Sequence, residues 1–159
     1  MRFCDTDEAK ELARMAREIW MDYFPSIVGK DATEYIMNLT QSEEAIRQQI
    51  LDGSLYYFIT ECSEKAGYIC IRPEGDSLFI SKVYVSKKFR GKGLGSKALN
   101  EVLEKGKAMK MKKAYLRVNK NNALAIGIYM HKGFVTVREE KLDIGNGFFM
   151  DDCVMEYRF

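Results

Sequence analysis

Val83 to Ser96 read VYVSKKFRGKGLGS, an apolar strand that enters a basic, glycine-rich turn and then opens a helix. Gly91, Gly93 and Gly95 lack a Cβ, so the backbone there can take left-handed angles and approach a ligand closely. Leu94, Ala98, Val102 and Leu103 recur at helical spacing directly after the turn. That spacing aims the first unpaired N–H groups and the positive end of the helix dipole at one spot, where Arg90 and Lys92 add two full charges. Together these features make a cradle for a phosphate rather than a plain turn into a surface helix.

Residues further along the chain narrow the kind of phosphate. Gly93, Gly95 and Ala98 also fit the dinucleotide pattern GxGxxA, but that ligand needs a carboxylate after the next strand. Ala114 to Val118 instead leads into Asn119, Lys120, Asn121 and Asn122. A nucleoside-triphosphate loop fails as well, because Gly95 is followed by Ser96 and then Lys97, the reverse of the required order.

A second constellation lies at Tyr115 to Phe134, YLRVNKNNALAIGIYMHKGF: a strand ending in asparagines, a helix, then a glycine and an aromatic. Asn122, Ala125 and Tyr129 fall at i, i+3 and i+7 and so share one helix face.

The two segments together resemble the GNAT superfamily of N-acetyltransferases. The family's acetyl-CoA motif R/Q-x-x-G-x-G/A is matched by Arg90, Gly93 and Gly95. Its second pattern, N-x-x-N-x-x-A-x-x-x-Y-x-x-x-G-F, is matched at Asn119, Asn122, Ala125, Tyr129, Gly133 and Phe134. The matches span about a third of the chain, and both motifs stand in the family's order and separation.

The resemblance implies an α/β (α+β) fold: a mixed, mostly antiparallel sheet flanked by helices, with the strand of Val83 and Val85 splayed from that of Leu116 and Val118. Acetyl-CoA is expected in the opening as co-substrate. Its pantetheine arm would pair with backbone at Val83, Tyr84 and Val85, and its pyrophosphate would rest on Arg90, Gly91, Lys92, Gly93, Leu94, Gly95 and Ser96. Asn119 and Asn122 complete the expected cofactor site, with Tyr129 as the catalytic group that meets the departing sulfur. Direct transfer to a primary amine in a ternary complex is implied, the amine being a small molecule or part of a peptide. A catalytically weak CoA-binding regulatory module is the alternative.

Proton removal is open. Many family members carry a glutamate two residues before the position aligned with Val83, where this chain has Ser81 followed by Lys82. A water relayed to Glu61, Glu74, Asp76 or Asp151, or an amine that arrives neutral, are the readings left standing. His131, the single histidine, lies two positions beyond Tyr129 and faces elsewhere. Trp20, Tyr23 and Phe24 sit where the family builds its acceptor pocket, although such clusters are more often core. Asp22, Glu34, Asp151 and Asp152 are candidate partners for a cationic amine.

The remainder fits one domain over residues 1–159. With 47% apolar residues the chain is long enough for a proper core. No apolar run approaches the ~20 residues that span a bilayer, and the N-terminus lacks a signal-peptide pattern, so a cytoplasmic protein without a membrane partner is expected. Cys4, Cys62, Cys70 and Cys153 match no zinc spacing and are read as reduced, partly buried thiols, with no metal expected. A net charge of +2 argues against nucleic acid, and Lys105, Lys107, Lys110, Lys112 and Lys113 are read as a solvated helix end. A homodimer is left open.

Along the chain, Met1 to Cys4 is a reduced first strand, and Asp5 with Glu8 forms a capping box for a helix through Trp20 whose stripe is Leu12, Met15, Ala16 and Ile19. Helices are predicted at Thr33–Leu39 and Ser42–Leu51, and strands at Leu55–Glu61, Ala66–Arg72 and Leu78–Val85, with SEK and PEGDS as turns. The tail is predicted as two strands, Phe134–Ile144 and Phe148–Tyr157.

Overall fold

In the computed structural model, which describes residues 1–159, β1 (Arg2–Cys4) is followed by α1 (Ala9–Tyr23), α2 (Pro25–Val28), α3 (Lys30–Gln41) and α4 (Glu43–Leu51). A meander comes next: β2 (Leu55–Glu61), β3 (Glu64–Glu74) and β4 (Ser77–Val85). The second half runs α5 (Leu94–Ala108), β5 (Lys113–Asn119), α6 (Ala123–His131), β6 (Val135–Gly145) and β7 (Phe148–Arg158). The strands form one sheet in the order β1-β2-β3-β4-β5-β7-β6, in which only β4 and β5 run parallel. That single parallel step requires a crossover, and α5 supplies it.

Two apolar layers sandwich the sheet. On one face, Leu94, Ala98, Leu99, Val102 and Leu103 of α5 pack on Ile69, Ile71, Leu78, Ile80, Ala114 and Leu116. On the other, Leu12, Ala16 and Ile19 of α1 and Ile46 of α4 cover Tyr56, Phe58, Tyr68 and Cys70. The α1 stripe is completed by Ala9 and Trp20, whereas Met15 is only half-buried.

Several local expectations are corrected. Asp5 and Glu8 do not close a capping box: Asp5 Oδ1 accepts from the Asp7 amide at 3.0 Å, starting a 3-10 turn over Thr6–Glu8. The Glu8 carboxylate pairs instead with Arg2 at 2.6 Å and Lys65 at 3.3 Å, where both partners of each bond are ionised. Ser42 caps α4 as expected, its Oγ accepting from the Ala45 amide at 3.2 Å.

The first hairpin turns tightly at Cys62 and Ser63, both with positive φ (47° and 68°), so β3 begins at Glu64 rather than Ala66. Pro73 lies within β3 instead of in the turn. It is tolerated because β2 pairing stops at Ile71, leaving that extension with one neighbour only. Of the cysteines, Cys4, Cys70 and Cys153 are buried and Cys62 is exposed, and none is bonded to another.

Two irregularities shape the centre of the sheet. Cys70 pairs with Lys82 and Ile71 with Ile80, so Ser81 is an extra residue in a β-bulge. Pairing of β4 with β5 covers only Ser77–Ile80 against Lys113–Leu116. Beyond it β4 stays with β3 to Val85, and β5 stays with β7 to Asn119, so the two strands part.

Candidate active site

The parting strands open a cavity of about 490 Å³. Its floor is Ile80 and Leu116, where pairing ends, and its sides are Val83, Tyr84 and Val85 of β4 and Arg117, Val118 and Asn119 of β5. Leu124, Ala125, Ile128 and Tyr129 of α6 line it from above, and Tyr23 and Phe24 close the α1 end. At its mouth lie Arg90, Gly91, Gly93, Leu94, Gly95 and Ser96. Lys92 alone of the expected cofactor residues is not on the wall, its ammonium standing 5.4 Å over the Phe89 ring.

The turn has the geometry of an anion site. Gly91 and Gly93 take φ of 78° and 72°, angles that disfavour any residue with a Cβ. No side chain caps α5, and its first bond within the chain is Lys97 N–H to Gly93 O. The amides from Gly91 to Ser96 therefore donate no hydrogen bond within the chain. Arg90 does not point into this cluster: its Nη1 bonds Asp22 Oδ2 at 2.7 Å and its Nε bonds the Val85 carbonyl at 3.0 Å. Lys87 and Arg90 in turn hold the Asp22 carboxyl below the usual range.

Backbone polarity inside the opening comes from register. Ser86 N–H bonds Ala66 O at 2.8 Å, so the alternation of antiparallel pairing directs the N–H and C=O of Tyr84 and Lys82 toward β3. Those of Val83 and Val85 point into the cavity. With the Val85 carbonyl taken by Arg90 Nε, the N–H and C=O of Val83 and the N–H of Val85 form the unpaired edge expected of a splayed sheet.

The two asparagines differ. Asn119 Oδ1 accepts from the Asn121 amide at 3.0 Å, shaping the turn before α6. Asn122 caps α6, its Oδ1 accepting from the Ala125 amide at 3.2 Å and from the Tyr23 hydroxyl at 2.9 Å. Only its Nδ2 is left for a ligand. Tyr129 packs on Phe134, and its hydroxyl has no partner within the chain; burial, and secondarily Tyr23, push the phenol up to about 12. His131 is exposed, as expected.

None of the carboxylates considered as a relayed base reaches the wall. Glu74 holds Arg72 and the Tyr115 hydroxyl, Asp76 pairs with Lys112, and Asp151 pairs with Lys120, while Glu61 ends β2. Asp22 and Asp151, two of the four candidate acids for a cationic amine, are thus neutralised. Asp152 forms no ion pair, and burial pushes it up to about 6. Trp20 and Phe24 stack at 4.1 Å and belong to a small core with Ile36 and Met37; of the Trp20, Tyr23 and Phe24 cluster, Tyr23 and Phe24 line the cavity and Trp20 does not. No cluster of three or more His, Cys, Asp or Glu side chains is gathered for a metal.

Sequence reasoning passes over Lys82. It is buried on the cavity wall, and its Nζ bonds Gln49 Oε1 at 2.7 Å and Ser81 Oγ at 3.2 Å, with no carboxylate in reach. Burial pushes its ammonium below the usual lysine value. A signal is present in the sequence: the apolar alternation Leu78, Ile80 resumes out of phase at Val83, Val85, which marks Ser81–Lys82 as a bulge.

Comparison with known proteins agrees with this architecture. Residues 13–134 match the model of the acetyltransferase (GNAT) family. The uncharacterised N-acetyltransferase of the pepI 3′ region in Lactobacillus delbrueckii subsp. lactis is 24% identical over 145 residues, covering 86% of this chain and 84% of its own. Among solved structures, the PaiA N-acetyltransferase of Thermoplasma acidophilum in complex with coenzyme A superposes with a TM-score of 0.82 at 20% identity, over 99% of this chain and 97% of that one. A GNAT family acetyltransferase from Elizabethkingia anophelis with acetyl-CoA bound gives 0.63 at 22% identity, over 74% and 84%. With three quarters of its length matched by the family model and its sheet parted between β4 and β5, the chain belongs to the GNAT family of acetyltransferases.

Proposed function

We propose that this protein moves the acetyl group of acetyl-CoA directly onto a primary amine within a ternary complex. The observation that carries this reading is the run of unpartnered amides from Gly91 to Ser96, set at the start of a 15-residue helix and at the mouth of the splay. Those amides suit a pyrophosphate, where the helix dipole adds to the backbone donors. The free N–H and C=O of Val83 and the free N–H of Val85 suit the amides of a pantetheine arm, taken up as an added strand. Exposed Leu124 and Ile128 give the arm an apolar cover, and Asn122 Nδ2 gives it a donor.

An alkyl amine near pKa 10.4 is about one part in a thousand neutral at pH 7, a penalty of roughly 4–5 kcal/mol that the site must offset. As the amine attacks, the Val83 amide is positioned to bond the oxyanion. Tyr129 donates to the sulfur as it leaves. Lack of a transmembrane-length apolar helix and the unpaired thiols are consistent with the cytoplasm.

A second reading, a CoA-binding regulatory module, is favoured by one observation: no carboxylate lines the cavity. One experiment separates the two. Calorimetry with acetyl-CoA, CoA, NAD and ATP should give binding to the first two only. Thiol release is then measured across polyamines, amino acids, aminoglycosides and peptides. Release with at least one amine supports the transferase, whereas binding without release establishes the module and NAD binding alone overturns both.

A further inference from the structure

Ser81 and Lys82 are consecutive, yet their side chains meet. In a regular strand they would point to opposite faces, and the bulge at Ser81 removes that alternation. Ser81 lines the cavity, so the pair connects the place where the amine must lose a proton to an amine inside the sheet's packed face. Resting on the acetyl-transfer reading above, we propose that Ser81 and Lys82 are its proton relay, Ser81 Oγ taking the proton of the attacking amine while the Ser81 hydroxyl proton passes to a neutral Lys82 Nζ.

The step balances. The acceptor nitrogen bonds the thioester carbonyl carbon, its N–H bond breaks toward Ser81 Oγ, and the Ser81 O–H bond breaks toward Lys82 Nζ, which becomes an ammonium. The C–S bond then breaks and the thiolate leaves under the Tyr129 hydrogen bond. Lys82 returns its proton to water as the thiolate takes one up.

The surroundings keep Lys82 fit for this. From α4, Gln49 offers a neutral oxygen at 2.7 Å; from β2, the Tyr56 ring lies 5.1 Å away, its hydroxyl also bound to Gln49 Oε1. From β3, the thiol of Cys70 is raised by burial and so uncharged, and Arg72 is a like charge that disfavours the ammonium. Tyr84 beyond it on β4 is likewise raised by burial. No anion faces Lys82 from any element. Burial without a counter-charge favours the neutral amine, the form a relay requires.

The test uses the full chain with acetyl-CoA bound. Side-chain NMR of isotopically labelled lysines, with Lys82→Met for assignment, should show Lys82 titrating below the surface lysines. With the amine that gives the fastest thiol release, kcat/KM in the wild type should rise along a limb at that same pH, separate from the limb of the amine itself. Lys82→Met should lose the limb and about a hundredfold in rate at unchanged KM for acetyl-CoA. Ser81→Ala, which keeps Lys82 and its bond to Gln49, should lose the same limb. Ser81→Glu with Lys82→Met, which restores a direct carboxylate base, should recover at least tenfold of the loss. Lys82 titrating with the surface lysines, or variants that keep the wild-type limb, overturns the relay alone. No thiol release by the wild type with any amine overturns the transferase reading, and the relay with it.

Discussion

Replacing Tyr129 by phenylalanine removes one oxygen whose role can be weighed from its surroundings. The hydroxyl has no partner within the chain, so its loss strands no donor or acceptor, and the ring's packing on Phe134 is kept. Unfolding free energy should therefore stay within about 0.5 kcal/mol of the wild type. At the sulfur the balance differs. With the phenol near 12 and a thiol near 8.5, outright proton transfer to the thiolate is uphill by about 5 kcal/mol, so the role proposed for Tyr129 is a hydrogen bond to developing charge. A bond to a charged group contributes about 1.5–3 kcal/mol, a tenfold to hundredfold fall in kcat. Acetyl-CoA affinity should be nearly unchanged, because the bond strengthens only as the C–S bond breaks. Thiol release at saturating acetyl-CoA measures kcat, and calorimetry measures binding. Because the phenol is raised, the wild type should show no basic fall in kcat from Tyr129 below about pH 10. A Tyr129→Phe protein with unchanged kcat removes this residue from the mechanism.

Gly93→Ala places a Cβ on a residue at φ 72°, where nothing in the chain obstructs it but the left-handed conformation costs about 1–2 kcal/mol. Acetyl-CoA binding by calorimetry should weaken at least tenfold; undiminished binding would dissociate the turn from the ligand. At Gly106, alanine would ordinarily stabilise a helix by about 1 kcal/mol, but here its Cβ would stand 2.3 Å from Phe159 Cζ. Urea melts should show a net loss of about 1–3 kcal/mol, reversed when Phe159→Ala is added. Asp152 has its native pKa raised to about 6 from 3.8, so between those values the native state holds the proton that the unfolded chain releases. Stability contributed by this group thus falls as pH rises from about 4 to 6, by about 1–2 kcal/mol after solvent screening. Asp152→Asn should flatten that slope, and an unaltered slope would assign it to other groups.

The residues that gather at the candidate cofactor site are legible because their signals are short in sequence. Gly91, Gly93 and Gly95 sit beside the helix they begin, and Asn122 and Tyr129 lie on one face of another. What escapes a linear reading is decided by partners far away. Arg90 turns from the glycine turn because Asp22, 68 positions earlier, holds it. Half of the Asn122 amide is occupied by Tyr23, 99 positions earlier. Lys82 is given no role by its sequence neighbours; Gln49, 33 positions away, is what receives its ammonium inside the fold. The hairpin at Cys62–Ser63 escapes for a different reason: two positive φ values usually require Asn or Gly, and strong pairing on both sides imposes them here.

The sheet is really two smaller ones, β1 to β4 and β5 to β7, stitched along four residue pairs and strapped by α5. That short seam borders the candidate ligand site. A molecule that lies along the open part of that seam does the work of an absent strand, and at a hundredfold excess over its Kd it adds about 2.7 kcal/mol against unfolding. On the proposed function, the integrity of the two halves would thereby be linked to donor supply, acetyl-CoA bracing the line along which it reacts.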